Sequence, residues 1–212
     1  MKKFITFEGG EGSGKTTQCK LLSNSLLKIN EENMLTREPG GTVFSEKIRK
    51  ILVNNSQLDL TVDSEILLIY AARHDHLKKV IIPTLRKKTV ICDRFIHSTF
   101  AYQSSSKNFL KKLKFIHKNF AFNLMPDITI YLDIKPELGI QRSLNHKKVE
   151  TKFENKNILF HKQIRRNFVN LEKKSKKIFK INGEKSEKKI HAQIIDIINS
   201  KHYFKKLLPY AS

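Results

Sequence analysis

Long apolar runs are missing from this 212-residue chain, cysteines are few, and acidic residues are scarce beside basic ones. The longest uninterrupted apolar stretch, Ile66 to Ala72, falls far short of the roughly 20 residues a membrane helix needs, so no membrane span is expected. Two lysines lie at the N-terminus, but Glu8 breaks the apolar stretch behind them, which argues against a secretory signal. Only Cys19 and Cys92 are present. Two widely separated thiols make neither a disulfide framework nor a thiolate metal site, and free thiols in a reducing cytoplasm are expected. No internal repeat and no linker divides the chain, whose length suits one α/β domain over 1–212.

Acidic residues number 20 against 41 Lys plus Arg, a formal charge of +21. An excess of this size is a reason to consider nucleic acid as a partner. The lysines, however, are spread through almost every polar stretch, and Ile and Asn are abundant, as a codon bias toward A and T produces. No basic stripe interleaved with aromatics, of the kind single-strand binders use, is evident. The charge is therefore read chiefly as solvated background that also attracts anionic nucleotides at low salt. A basic nucleic-acid-binding protein that uses ATP as a switch ranks last among the functional readings.

What is present is one dense motif. Gly9, four intervening residues (Gly10, Glu11, Gly12, Ser13), then Gly14, Lys15 and Thr16, followed by Thr17, fit the phosphate-binding loop G-x-x-x-x-G-K-[ST]. Glycines let the backbone wrap a phosphate chain and turn its N–H groups inward. Lys15 is suited to neutralise the outer phosphates, and the Thr16 hydroxyl to complete the coordination of Mg²⁺. The flanks agree: Phe4-Ile5-Thr6-Phe7 reads as a strand, and Cys19, Leu22, Leu26 and Ile29 recur at helical spacing.

The remaining chain alternates strands and helices. Strands are expected at Asn33–Arg37, at Thr89–Asp93, at Asp127–Asp133 opened by Pro126, and at Ile178–Ile181. Between them lie helices over about 43–54, 63–87 with Pro83 near its end, 107–121, 136–148, 154–176 and 186–199. This alternation predicts an α/β chain: a three-layer P-loop fold with a five-stranded parallel sheet flanked by helices. Thr89-Val90-Ile91-Cys92-Asp93 is a buried strand closing on a carboxylate, where P-loop enzymes commonly hold Mg²⁺. Arg37, Arg49, Arg73 and Arg94 lie near strand ends or on segments able to face the loop. One triphosphate does not require four guanidiniums, whereas a second phosphorylated ligand would. Phosphoryl transfer from ATP to another nucleotide follows. A GTPase is disfavoured, because Asn155-Lys156 is followed by Asn157-Ile158 and lacks the base-reading Asp.

Phe7 to Thr17, Thr36-Arg37-Glu38-Pro39-Gly40-Gly41-Thr42, Ala71-Ala72-Arg73, and Asp93-Arg94-Phe95 through Ser98 and Ala101-Tyr102-Gln103 together resemble bacterial thymidylate kinases. The similarity extends to Tyr131-Leu132-Asp133 and so covers most of the chain. It implies ATP + dTMP → ADP + dTDP with Mg²⁺, a step toward dTTP, and usually a cytoplasmic homodimer. By position it gives the ATP phosphates to Lys15 and the loop amides, and Mg²⁺ to Thr16 and Asp93. Arg94 would bridge the reacting phosphates, and Glu11 would meet the dTMP sugar hydroxyl. Arg37, Glu38 and Arg49 would frame the acceptor's phosphate and sugar. Arg73 and Gln103 would read the thymine edge with Ser98 and Thr99, and Tyr102 would crowd a ribose 2′-hydroxyl. Two departures stand out. Ile69 occupies the place of an aromatic that usually stacks on the base, which leaves Tyr70 or another ring to compensate. The lid, expected around 142–154, keeps Arg142 and Glu154 but has Leu144, Thr151 and Lys152 where an Arg, an Asp and an Arg are common. Arg142, Lys147, Lys148 and Lys152 are then the candidate lid cations. Ile69 also supports a second enzymatic reading, another small P-loop nucleotide or nucleoside kinase.

Overall fold

The computed structural model describes residues 2–54, 58–103, 107–145 and 156–210. Apolar alternation in the central strand β1 (Phe4–Glu8) decides the layering. Ile5 and Phe7 face one side and Phe4 the other, as the two-residue period of a strand requires. The first side is covered by α1 (Lys15–Lys28), through Cys19, Leu22 and Leu26, and by α9 (Glu187–Ser200), through Ile194, Ile195 and Ile198. The second is covered by α3 (Val62–His76), α5 (Ile96–Gln103) and α6 (Lys107–Phe120), through Ile66, Tyr70, Ile96, Phe100 and Leu113.

The other strands are β2 (Asn33–Arg37), β3 (Thr89–Asp93), β4 (Ile128–Asp133) and β5 (Ile178–Asn182). All pairings are parallel, in the order β2-β3-β1-β4-β5. The three-layer α/β sheet expected from the alternation is the one observed. Its register sets Phe7 beside Asp93 and Ile130, and Asp93 beside Arg37, so the polar strand ends converge at one edge. In open α/β sheets that carboxyl edge is where ligands bind.

Three boundaries differ from the periodicity. The long 63–87 segment is broken by a π-helical turn, Leu77–Ile81, before the short α4 (Ile82–Leu85). Pro83 lies just past it, and the wider turn accommodates a ring that can donate no hydrogen bond. Helix α7 (Pro136–Leu144) ends before His146, and α8 (Ile158–Glu172) starts at an Asn157 cap that accepts the Phe160 N–H at 2.9 Å. Most of the expected lid, with Lys147, Lys148, Lys152 and Glu154, lies outside the described residues. Among the described residues no helix is long and apolar enough to cross a membrane.

Helix α7 meets the glycine-rich loop backbone to backbone. Gly12 has φ 61°, and a Cβ there would lie 2.0 Å from the Gly139 carbonyl oxygen; one on Gly139 would lie 2.5 Å from that of Glu11. Gly139→Ala gains about 1 kcal/mol of helix propensity against about 1–3 kcal/mol of overpacking. We expect its melting temperature to stay within about 8 °C of the parent, while ATP affinity falls at least about tenfold because the loop is displaced. Titration calorimetry beside a melting curve checks this, and unchanged affinity would show that the loop tolerates the shift.

His97 and His117 lie buried beneath the sheet, and burial lowers both to about 4. Unfolded, each takes its proton near 6.5. Their contribution, on the order of 3 kcal/mol each, is complete above that value and is lost as pH falls toward 4. His97→Asn retains a polar partner for Thr129, now 3.3 Å from Nδ1, without titrating in this range. Its melting temperature is expected to fall less steeply between pH 7 and 4.5; equal slopes would remove His97 as a source of acid lability.

Candidate active site

The loop between β1 and α1 is closed by its own lysine. Lys15 Nζ donates to the Gly9 carbonyl at 3.2 Å, the Gly10 carbonyl at 2.7 Å and Ser13 Oγ at 3.2 Å. Burial lowers its pKa and the Arg94 charge adds to that, while Glu11, Asp93 and Glu8 work to keep the ammonium. Gly9 must be glycine: a Cβ would lie 2.6 Å from the Leu132 carbonyl oxygen. The first turn of α1 holds no acidic residue, so its N-terminal N–H groups remain an anion site.

At the neighbouring strand end, Thr16 Oγ1 donates to Asp93 Oδ2 at 2.5 Å, which brings the two expected metal ligands together. Arg94 follows in the left-handed region at φ 67°, its N–H held by the Phe7 carbonyl at 2.9 Å. For a residue with a Cβ this conformation costs roughly 1–2 kcal/mol, and it turns the side chain back over the loop. The guanidinium donates to the Gly9 carbonyl at 3.0 Å, Ser98 Oγ at 3.2 Å and Glu11 Oε1 at 2.7 Å, and lies 5.2 Å over the Tyr102 ring. Burial opposes charge on both partners of the Arg94–Glu11 pair. In Glu11, Arg94 and Lys15 outweigh it, and with the Tyr102 hydroxyl at 2.9 Å they bring the carboxyl down to about 2. In Arg94, Glu11 chiefly outweighs it and the pKa is raised.

Beyond Arg94 opens a cleft walled by both apolar and charged side chains. Glu11, Glu38, Arg49, Ile69, Arg73, Arg94, Ser98, Thr99, Tyr102 and Gln103 line it together with Pro39, Leu52, Val53, Glu65 and Phe95. Arg73 is buried on α3, where its Nε donates to Glu38 Oε2 at 2.6 Å and Nη2 to Thr99 Oγ1 at 3.0 Å. Burial disfavours its charge, but Glu38 more than offsets this and raises the pKa. The same pair lowers the pKa of Glu38 against its own burial. Arg73 Nη1 is buried and has no hydrogen-bond partner among the described residues, a donor left over on a residue that lines the cleft. Arg49 Nη1 donates to the Pro39 carbonyl at 2.8 Å.

Two predicted site residues lie apart from this group. Arg37 ends β2 at the same edge, but its exposed side chain pairs with Glu46 at 3.0 Å and does not line the cleft. Arg142 is tied by Nη1 to the Gly183 carbonyl at 2.9 Å and by Nη2 to that of Glu184 at 3.4 Å, on the loop after β5. Tyr70 does not take the place of the missing aromatic: it is buried, its hydroxyl donates to the Leu113 carbonyl at 3.3 Å, and its ring lies under Arg73. Ile69 and Arg73, four apart on α3, share the cleft face, and a one-residue step turns Tyr70 toward the core. The rings on the cleft walls are Phe95 and Tyr102.

Sequence reasoning missed two residues. Glu8 is fully buried, and its carboxylate accepts the Phe95 N–H at 2.9 Å and the Ser98 hydroxyl at 2.5 Å, which fixes the turn that carries Arg94. Burial raises its pKa despite those bonds. A carboxylate closing an apolar strand was the available signal, the same one that marks Asp93. Gly139 was signalled by a glycine inside a helical run.

The family model for thymidylate kinase matches residues 7–194. Among curated proteins, the thymidylate kinase of Orientia tsutsugamushi (strain Ikeda) is 41% identical over 206 residues, covering 94% of each chain. That of Wolbachia pipientis subsp. Culex pipiens (strain wPip) is 43% identical over 205 residues, 93% of this chain and 96% of the relative. Among solved structures, thymidylate kinase from Ehrlichia chaffeensis superposes with a TM-score of 0.74 at 33% identity, covering 93% of this chain and 98% of the other. A glycine-rich loop, a strand-end Asp-Arg pair and an Arg-lined cleft thus occur in a chain similar along nearly its whole length to these enzymes, and the chain belongs to the thymidylate kinase family.

Proposed function

We propose that the protein transfers the γ-phosphoryl group of ATP to dTMP, giving ADP and dTDP, as one domain with a lid at about 142–154 and as a cytoplasmic homodimer. The observation that carries the reading is Arg94: one guanidinium touches the Gly9 carbonyl of the loop and also lines the cleft. A cation between donor and acceptor sites is what phosphoryl transfer needs, since charge develops on the oxygens passing between them. In this reading the loop amides and Lys15 hold the ATP phosphates. Arg94 and Lys15 stabilise the transferring group, and Glu11, already ionised, accepts the sugar hydroxyl.

Mg²⁺ fits the donor set at Thr16 and Asp93. Both are hard oxygen donors 2.5 Å apart, and Mg²⁺ takes few protein ligands beside phosphate oxygens and water. When bound, it neutralises phosphate charge. Arg37 and Arg49 frame the acceptor phosphate in this reading. The exposed Arg37–Glu46 pair is worth little, so Arg37 turns toward an anion at small cost. Arg142, which donates to carbonyl oxygens on the loop after β5, is the lid cation at the ATP end in this reading.

The spare Nη1 donor of Arg73 suits a carbonyl on the base. Thymine presents O4 there, whereas cytosine presents an amine and would set donor against donor. A coupled ADP-release assay with dTMP, dUMP, dGMP and dCMP is expected to rank dTMP first. Its preference over dUMP should be about 10–200-fold, because one methyl group separates them, and its preference over dCMP larger. Equal rates for all four would overturn the substrate while leaving a nucleotide kinase. Ile69→Phe should lower the KM for dTMP by about two- to tenfold, the worth of an added stacking ring; an unchanged or raised KM would show that this wall does not face the base.

A further inference from the structure

We propose that His76 is a positioning residue for acceptor recognition: clamped between Thr36 and Glu38, it holds the Glu38 carboxylate in the orientation that aims Arg73 into the cleft. The inference rests on the reading of Arg73 as the group that meets the base. His76 is fully buried on α3, three residues after Arg73, so the two side chains share a helix face. Each takes one oxygen of the same carboxylate. His76 Nδ1 stands 3.2 Å from Glu38 Oε1, and Arg73 Nε stands 2.6 Å from Oε2. On the far side of the ring, Nε2 lies 2.7 Å from Thr36 Oγ1.

The proton positions follow from the partners. An ionised Glu38 only accepts, so Nδ1 carries the hydrogen, and Nε2 on the other side of the ring pairs with the Thr36 hydroxyl. Sterics hold the ring as well: a Cβ on Gly41 would lie 2.2 Å from His76 Nε2, so the loop after β2 closes directly over it. The Glu38 backbone is itself fixed, its N–H donating to the Asp93 carbonyl at 3.0 Å. With the main chain held and both carboxylate oxygens engaged, Glu38 has one side-chain orientation. Thr99 then takes Nη2 of Arg73 at 3.0 Å, and Nη1 is the donor left over. Without the His76 donor, Oε1 is a buried acceptor with no partner, and the carboxylate turns to find one. Arg73 follows its strongest partner, and the error reaches the cleft.

The test compares His76→Asn with His76→Gln. The amide nitrogen of Asn falls near the place of Nδ1, and that of Gln near Nε2, so only Asn keeps a donor for Glu38. His76→Gln is expected to raise the KM for dTMP about tenfold and narrow the dTMP-to-dCMP ratio, with the KM for ATP unchanged. His76→Asn should stay within about threefold of the parent on both counts. Asn and Gln variants that behave alike, or KM values for dTMP and ATP that rise together with a fall in melting temperature, would overturn the proposal. Should either variant fail to fold, Thr36→Val, which frees the far side of the ring, is expected to raise the KM for dTMP in the same direction, and no change would refute it. Arg73→Leu separates the two readings. If it leaves dTMP discrimination intact, the role of Arg73 fails. If it abolishes discrimination while the His76 variants do not, only the present inference fails.

Discussion

Two charges share one partly buried corner where Arg94 meets Glu11, and the active edge of the sheet is arranged around keeping both of them there. An ionised group taken fully from water without a partner costs several kcal/mol, and partial burial incurs part of that cost. The pair is therefore satisfied from several directions. Gly9 and Ser98 take further guanidinium hydrogens, Tyr102 donates to Glu11, and Glu8 anchors the turn beneath. These partners come from β1, the loop after it and α5, and the left-handed backbone at Arg94 joins them. The strain at that residue is small beside the charge it sets in place.

The opposite wall repeats the arrangement with different residues. Arg73 and Glu38 form a second and more deeply buried pair, aromatic rings of Tyr70 and Phe95 lie 4.9 Å from the guanidinium, and among the described residues one nitrogen remains unmatched. In both walls the carboxylate belongs to the protein and the guanidinium lines the cleft. An anionic or carbonyl-bearing ligand thus completes a set of hydrogen bonds that the fold has already oriented, without the reorganisation that water would require. The overall charge of +21 adds a diffuse attraction that salt screens within about 10 Å, whereas the buried Arg73 and partly buried Arg94 guanidiniums act at contact.

Local signals made much of this legible. The glycine-rich loop is contiguous, and its chemistry depends on backbone freedom and on one lysine a fixed distance away. Asp93 and Arg94 announce themselves as the polar end of an apolar strand. The five strands were readable because β1, β3 and β4 are buried on both faces and are predominantly apolar and β-prone. Helix ends were less so, because the π-turn and the Asn157 cap are settled by packing and hydrogen bonds beyond a periodic pattern.

By itself the sequence determined the phosphate-binding loop, the strand-end carboxylate and guanidinium, the alternation that yields a parallel sheet, and the family to which the chain belongs. Tertiary structure alone decided that Glu8 anchors the Arg94 turn, that Arg37 pairs outward with Glu46, that Tyr70 supports Arg73 from below instead of facing the cleft, and that Gly139 lets a helix touch the loop. The reason is range. A loop of eight residues carries its geometry in its own backbone, whereas three of these relations join residues 9 to 128 positions apart, at distances set by strand register, and the fourth, Tyr70 under Arg73, depends on which face of α3 is turned to the core.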